Sequence, residues 1–206
     1  MLPSSKTLHH AVRAFLLAAL TIAAAAASPI TGRVVGVSDG DTVTVLDANK
    51  RTHKIRLLGI DSPEKSQAFG ERAKQSLSDL VFNKQVTVQG SKQDRYGRDL
   101  GKIVLDGQDI NLEQIRRGMA WHYKQYARDQ APEDRQAYAD AESTARQNRV
   151  GLWQDSQPVP PWSYRRAAKE QAKGQPKEQA QAASLSTQRC ARPVLCPRVR
   201  SAAKIR

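Results

Sequence analysis

Apolar and polar residues alternate along Gly32–Val37 and again along Asp41–Leu46, and Ser38-Asp39-Gly40 between them is a tight-turn sequence. A period of two places successive side chains on opposite faces, so both stretches predict strands joined as a hairpin. Thr52–Gly59 (THKIRLLG) predicts a third strand, with Ile55 and Leu57 on one face and Lys54 and Arg56 on the other. The period then changes. Phe69, Ala73, Leu77 and Leu80 follow helical spacing and predict a helix over 65–82. Gln85–Gln89 (QVTVQ) and Asp99–Leu105, the latter ended by Asp106-Gly107, predict a fourth and a fifth strand. Asn111 is the expected N-cap of a short helix over 112–117 that Gly118 closes. Pro132 opens a longer helix over 132–148, with Ala137, Ala141 and Ala145 as its apolar stripe. Leu152 and Trp153 are expected to fold back onto the core.

Five short strands with a helix between the third and fourth predict an α+β, mainly β, architecture. The expected form is an OB-fold, a five-stranded Greek-key barrel, with about three helices. Such a barrel commonly binds nucleic acids or sugars, but the fold alone does not assign a function. Gln157-Pro158-Val159-Pro160-Pro161 is a stiff extended breaker, and beyond Trp162 the chain becomes rich in Lys, Arg, Gln and Ala. The expected organisation is therefore a globular domain over 28–156, a Pro-rich linker over 157–163 and a basic, low-complexity, disordered tail over 164–206. Transient helix is expected around 165–183. Residues 1–27 read as a secretory signal: Lys6 and Arg13 precede the apolar run 14–27, and Ala25 and Ala27 fit a cleavage site before Ser28. The run is too short and Ala-rich to favour a membrane anchor, and no cysteine lies near the cleavage site. The mature chain is thus expected to be secreted or periplasmic.

Composition sharpens this picture. With 39% hydrophobic and 26% charged residues, the chain can build a core but is too polar for an integral membrane protein. The net charge of +13 points to an anionic partner, yet its distribution is uneven. Residues 28–163 carry 20 Lys+Arg against 18 Asp+Glu, whereas 164–206 carry 11 against 2. The tail, not the domain, holds most of the excess. The two cysteines, Cys190 and Cys196, suit a small disulfide loop in an oxidising compartment and are too few for a structural zinc site. His53 and His122 read as partly buried structural histidines rather than ligands.

Asp41, Arg56, Asp61, Glu64 and Arg98 fall at the ends of these elements. Taken singly, each has an ordinary structural explanation: a hairpin turn, a helix entry, a solvated loop. Together they form a pattern. The stretches DGDT (39–42), IRLLGIDSPE (55–64), DRYGR (94–98) and NLEQIRRGMA (111–120) occur in an order and at separations that resemble staphylococcal-type thermonucleases. The resemblance spans Gly32–Trp153 and leaves out the tail.

The resemblance implies a calcium-dependent phosphodiesterase, an endonuclease acting on DNA and RNA with low sequence specificity and leaving 3′-phosphates. It implies that Asp41 and Asp61 are carboxylate ligands of Ca²⁺ and that the next residue, usually Thr in the family and Ser62 here, supplies a main-chain carbonyl. Glu64 would orient or deprotonate the attacking water, and Arg56 and Arg98 would bind the phosphate. Tyr96 lies between two motif residues, and Tyr123 and Tyr126 follow the short helix in the region where the family has substrate-facing tyrosines, so Tyr96 and one of the other two are expected to hold bases. The alternative role of Tyr123 and Tyr126 is to cover the core together with Trp121. The residue chemistry agrees: oxygen donors without His or Cys suit a hard cation, and two carboxylates make a weak site of roughly 10⁻⁴–10⁻³ M. Arginine forks and a dication suit the charge that builds on a phosphorane-like transition state. A monomer is expected. Two other readings remain: a non-catalytic nucleic-acid-binding module, and an envelope-bound adaptor acting through its tail. The intact five-residue set argues for catalysis. The basic tail is expected to bind polyanions or the cell surface.

Overall fold

A sheet of alternating strands closes on itself through one parallel pairing. The computed structural model describes residues 29–174. The first strands are β1 (Ile30–Asp39), β2 (Thr42–Asp47) and β3 (Thr52–Leu57). They form an antiparallel meander in which Val34 faces Val45, and Val43 faces Ile55. After a long excursion come β5 (Gln85–Gln93), antiparallel to β1, and β6 (Asp99–Leu105), antiparallel to β5. β6 then pairs in parallel with β3, setting Ile55 opposite Asp99 and Arg56 opposite Leu100. The order β3-β2-β1-β5-β6 with β3–β6 closure is the expected five-stranded barrel.

Its interior is filled by the apolar face of each strand. Val34, Val43, Val45, Ile55, Leu57, Val86, Val88 and Ile103 are almost fully buried, so the expected inward face of β3 is the observed one. Leu77 and Val81 of helix α1 (Gly70–Val81), Ile110 and Ile115 of α2 (Ile110–Arg116) and Tyr138 of α3 (Pro132–Gln147) join the same core. Leu152 and Trp153 are buried as expected, with Trp153 packed edge-on against Trp121 at 4.4 Å.

Several local expectations are corrected. The helix expected from residue 65 begins at Gly70, because Glu64 and Gln67 close successive tight turns and Phe69 is left-handed, with φ 66°. Asn111 does not cap α2. Asp109 does, accepting from the Leu112 amide at 3.0 Å, while Asn111 lies inside the helix and is fully buried. Its side chain accepts from the Ile103 amide and donates to the carbonyls of Leu58 and Gly101, so it bonds β6 and the β3 exit to the helix. On α3, Ala141 and Ala145 are buried but Ala137 is exposed; Tyr138 supplies that part of the stripe. A small second sheet was not anticipated. In it β4 (Ile60–Asp61) pairs with β8 (Trp121–His122), and a further two-residue strand, β7 (Gln108–Asp109), extends the main sheet beside β6. Two-residue strands carry no readable period.

The chain divides into two units, the second starting at Trp162. The Pro-rich stretch ends in helix α4 (Pro161–Gly174), which begins inside the expected linker and covers the first part of the expected tail. The signal-like residues 1–27, Cys190, Cys196 and the rest of the tail lie outside the described residues. No helix among the described residues is long and apolar enough to cross a membrane.

Candidate active site

The turn between β1 and β2 delivers Asp41, β3 delivers Arg56, and the short strand β4 delivers Asp61, with Ser62 next in the chain. Asp41 (6% exposed), Asp61 (1%) and Ser62 (4%) are all buried. Arg56 Nη1 pairs with Asp41 Oδ2, and Arg56 Nη2 lies 2.7 Å from Asp61 Oδ1. The Ser62 amide donates to Asp41 Oδ2 at 2.7 Å, and Thr42 Oγ1 donates to Asp41 Oδ1 at 3.1 Å. One guanidinium thus binds two carboxylates that are 20 residues apart in the chain. The backbone makes this meeting obligatory: the Leu57 amide donates to the Asp41 carbonyl at 2.8 Å, and β4 is anchored by the pairing of Asp61 with Trp121.

The electrostatics of this cluster are short of positive charge. Burial pushes Asp41 up to about 7, and the neighbouring charges of Asp39 and Asp61 add to that, despite the opposing effect of Arg56. Burial opposes the charge on Arg56, but Asp41, Asp61 and Asp39 together hold it above its ordinary value, so it stays cationic. By formal count one arginine faces three nearby carboxylates, and burial is the main reason that Asp41 holds its proton more tightly. The Ser62 hydroxyl is buried and finds no hydrogen-bond partner among the described residues. Among the described residues no group of three or more His, Cys, Asp or Glu side chains is placed to hold a metal ion. Hard oxygen donors with an uncompensated negative charge fit a divalent cation such as Ca²⁺.

Glu64 follows on the loop that leaves β4 and is half-buried. Gln67 orders that loop: its side-chain oxygen accepts from the Glu64 amide at 3.1 Å, and its own amide donates to the Glu64 carbonyl at 2.8 Å. Arg98 stands one residue before the Asp99–Ile55 pair, at the end of the turn that leads into β6, the strand beside the one that carries Arg56. Its guanidinium is engaged by Asp94, with Nε at 2.7 Å and Nη2 at 2.6 Å from Oδ2. Burial pushes Asp94 upward, but hydrogen bonds from Arg98 and Tyr96 outweigh it and hold the carboxyl below its usual range.

The three tyrosines divide. Tyr96 is exposed and stacks with Arg95 (4.9 Å) and Arg98 (5.6 Å). Tyr123 and Tyr126 form a tilted pair with centroids 5.4 Å apart, and the Tyr123 amide is bound to the Gly59 carbonyl between β3 and β4. Tyr126 is half exposed, so it does not cover the core; Trp121 does. Among the described residues, His53 and His122 both make structural contacts. His122 is buried and bonded to Gln130 at 3.1 Å, with burial holding it below its ordinary value. His53 lies between Asp47 and Asp99.

Two buried polar residues near the site were not anticipated. Gln114 of α2 is fully buried and bonded to the turn that carries Asp41. Glu142 of α3 is also buried; it accepts from the His122 amide at 3.2 Å and so steadies β8, the partner of β4. The sequence signals for Gln114 are its place in the NLEQIRRGMA stretch and its i+3 spacing from Asn111, which puts both on one helical face.

The family profile described as Staphylococcal nuclease homologue matches residues 54–155. An uncharacterized endonuclease of Haemophilus influenzae is 45% identical over 139 residues, covering 68% of this chain and 75% of that protein. A protein named micrococcal nuclease from Shigella flexneri is 41% identical over 169 residues, covering 77% of this chain and 94% of that protein. Protein ParB of Escherichia coli is 41% identical over 159 residues, covering 73% of this chain and 87% of that protein. A profile that matches from within β3 onward, relatives more than 40% identical that this chain covers to three quarters of their length or more, and a closed barrel leave one assignment: the chain belongs to the staphylococcal nuclease family.

Proposed function

We propose that this protein is an exported, calcium-dependent endonuclease that hydrolyses phosphodiester bonds of DNA and RNA with little sequence preference and leaves 3′-phosphates. The observation that carries the reading is the Asp41–Arg56–Asp61 cluster, where two buried carboxylates from distant segments converge on a single guanidinium. The names of the relatives from Shigella flexneri and Haemophilus influenzae support the same activity class.

In this reading Asp41, Asp61 and the main-chain carbonyl of Ser62 hold Ca²⁺, which supplies Lewis-acid stabilisation of phosphate charge when bound. Arg56 and Arg98 present planar donor forks to the phosphate oxygens as charge builds on them. To do so, each exchanges part of its contact with a carboxylate for contact with phosphate. Glu64 takes the proton of the attacking water; no histidine stands in the motifs to compete for that role. Tyr96, with Tyr123 or Tyr126, stacks on bases, and stacking tolerates any base. The protein works as a monomer. Residues 1–27 direct export, and the basic tail binds long polyanions or the cell surface, with the salt dependence of phosphate contacts.

A degradation assay on DNA and RNA, first with calcium and then with a calcium chelator, tests this reading. Activity is expected with calcium and is expected to vanish on chelation. Full activity under chelation would overturn the metal mechanism.

A further inference from the structure

The Gly40–Asp41 peptide is held at both of its polar ends. Its amide, on Asp41, donates to Asp39 Oδ1 at 3.1 Å. Its carbonyl, on Gly40, accepts from Gln114 Nε2 at 2.9 Å. A peptide unit is planar, so fixing its N–H and C=O fixes the plane that leads into the Asp41 Cα. The next peptide is held too, because the Asp41 carbonyl accepts from the Leu57 amide.

Gln114 comes from α2, 74 residues further along the chain. It is fully buried. Its second amide hydrogen goes to the Ala73 carbonyl at 3.1 Å, and its oxygen accepts from Ser76 Oγ at 2.7 Å. Both donors and the acceptor oxygen are therefore used, and they join α2, α1 and the β1–β2 turn. The turn has no freedom to slide under this tie. A Cβ on Gly40 would stand 2.6 Å from Ala73 Cβ and 2.8 Å from Ser62 Cβ. α1 and the Asp61–Ser62 corner thus close on the turn from one side, while Gln114 holds its carbonyl.

We infer that Gln114 is a positioning residue for the catalytic site: its amide sets the Gly40 carbonyl, and through it the Asp41 carboxylate, in the geometry that receives the divalent cation. The inference rests on the proposed role of Asp41 as a cation ligand. It adds that α2, outside the motif that carries Asp41, decides how well that ligand is presented.

The test uses the full chain without nucleic acid. Calcium is titrated by calorimetry into wild type, Gln114→Met, Ser76→Ala and Tyr138→Phe, and each is then assayed on DNA. Tyr138→Phe loosens α2 at its other end by removing the bond from the Tyr138 hydroxyl to Asp109, so it reports what general loosening does. In Gln114→Met the calcium half-saturation is expected to rise about tenfold, the worth of one to two lost hydrogen bonds. The kcat is expected to fall, with KM for DNA unchanged. In Ser76→Ala, which removes the donor to the Gln114 oxygen and leaves its amide held by the Gly40 and Ala73 carbonyls alone, a rise of about threefold is expected from the loosened tie. Tyr138→Phe is expected to bind calcium like wild type. Unchanged half-saturation in Gln114→Met, or in Ser76→Ala where Gln114→Met does not fold, would overturn the role of Gln114. An equal rise in Tyr138→Phe would overturn it as well. Absence of calcium binding in wild type would instead overturn the reading of Asp41 as a ligand.

Discussion

Arg56 Nη2 lies 2.7 Å from Asp61 Oδ1; Asp61 is buried and Arg56 is largely covered. This guanidinium also pairs with Asp41 and is cationic, so it is the structural counter-charge of the two carboxylates expected to face the cation. The same group therefore serves stability and chemistry, and the two can be separated by substitution.

Arg56→Ala is expected to destabilise the fold by about 3–5 kcal/mol, since it strands a buried carboxylate without its partner. Arg56→Lys retains the charge but not the fork that reaches two carboxylates at once, so it is expected to lose less stability and still lose most activity. Urea unfolding and DNA digestion on the same preparations measure both quantities.

Glu64 behaves differently. It is half-buried on a loop ordered through its backbone by Gln67. Glu64→Gln is expected to unfold like wild type and to lose about 10²–10⁴-fold in turnover, the range for a general base. A variant that digests DNA at the wild-type rate would assign the proton transfer elsewhere.

Gly40→Ala probes the space under the Asp41 turn. The added methyl would meet Ala73 and Ser62 well inside contact distance. Overpacking of this kind costs about 1–3 kcal/mol, and relief requires the turn to move. Thermal unfolding is expected to show the loss, and nuclease activity is expected to fall further than stability alone explains.

The pH dependence of stability has a readable sign at Asp109. Burial raises its carboxyl, against the opposing bonds from Leu112 and Tyr138. The folded state therefore holds this proton more tightly than the unfolded chain. Its stabilising contribution is complete below the ordinary aspartate range and is lost as pH rises through the raised folded value. Asp109→Asn is expected to flatten that part of the stability profile, measured by thermal unfolding across pH in a calcium chelator. A steeper decline in the variant would contradict the assignment.

Much of the barrel was legible in the chain. Alternation along β1, β2, β3 and β6 reports which side chains face inward, and Val34, Val43, Ile55 and Ile103 are buried accordingly. Asp41, Arg56 and Asp61, which the fold brings together, were legible as candidates through DGDT and IRLLGIDSPE. The start of α1, the Asp109 cap and the β4–β8 pair were not. A left-handed Phe69, a cap two residues earlier than the expected one and strands of two residues leave no periodic trace. Arg98 was legible as a candidate, whereas its engagement by Asp94 was not.

The sequence by itself determined the strand and helix alternation, the location of the excess positive charge beyond residue 163 and the residue types able to bind a hard cation and phosphate. The tertiary structure decided which of those residues meet. It placed one arginine between two aspartates, left that cluster short of positive charge and set Gln114 against the turn that carries Asp41. The physical reason lies in range. Periodicity and turn chemistry act over a few residues and show which face a side chain takes. Burial, counter-charge and the partner of a buried amide arise only when barrel closure brings distant segments into contact.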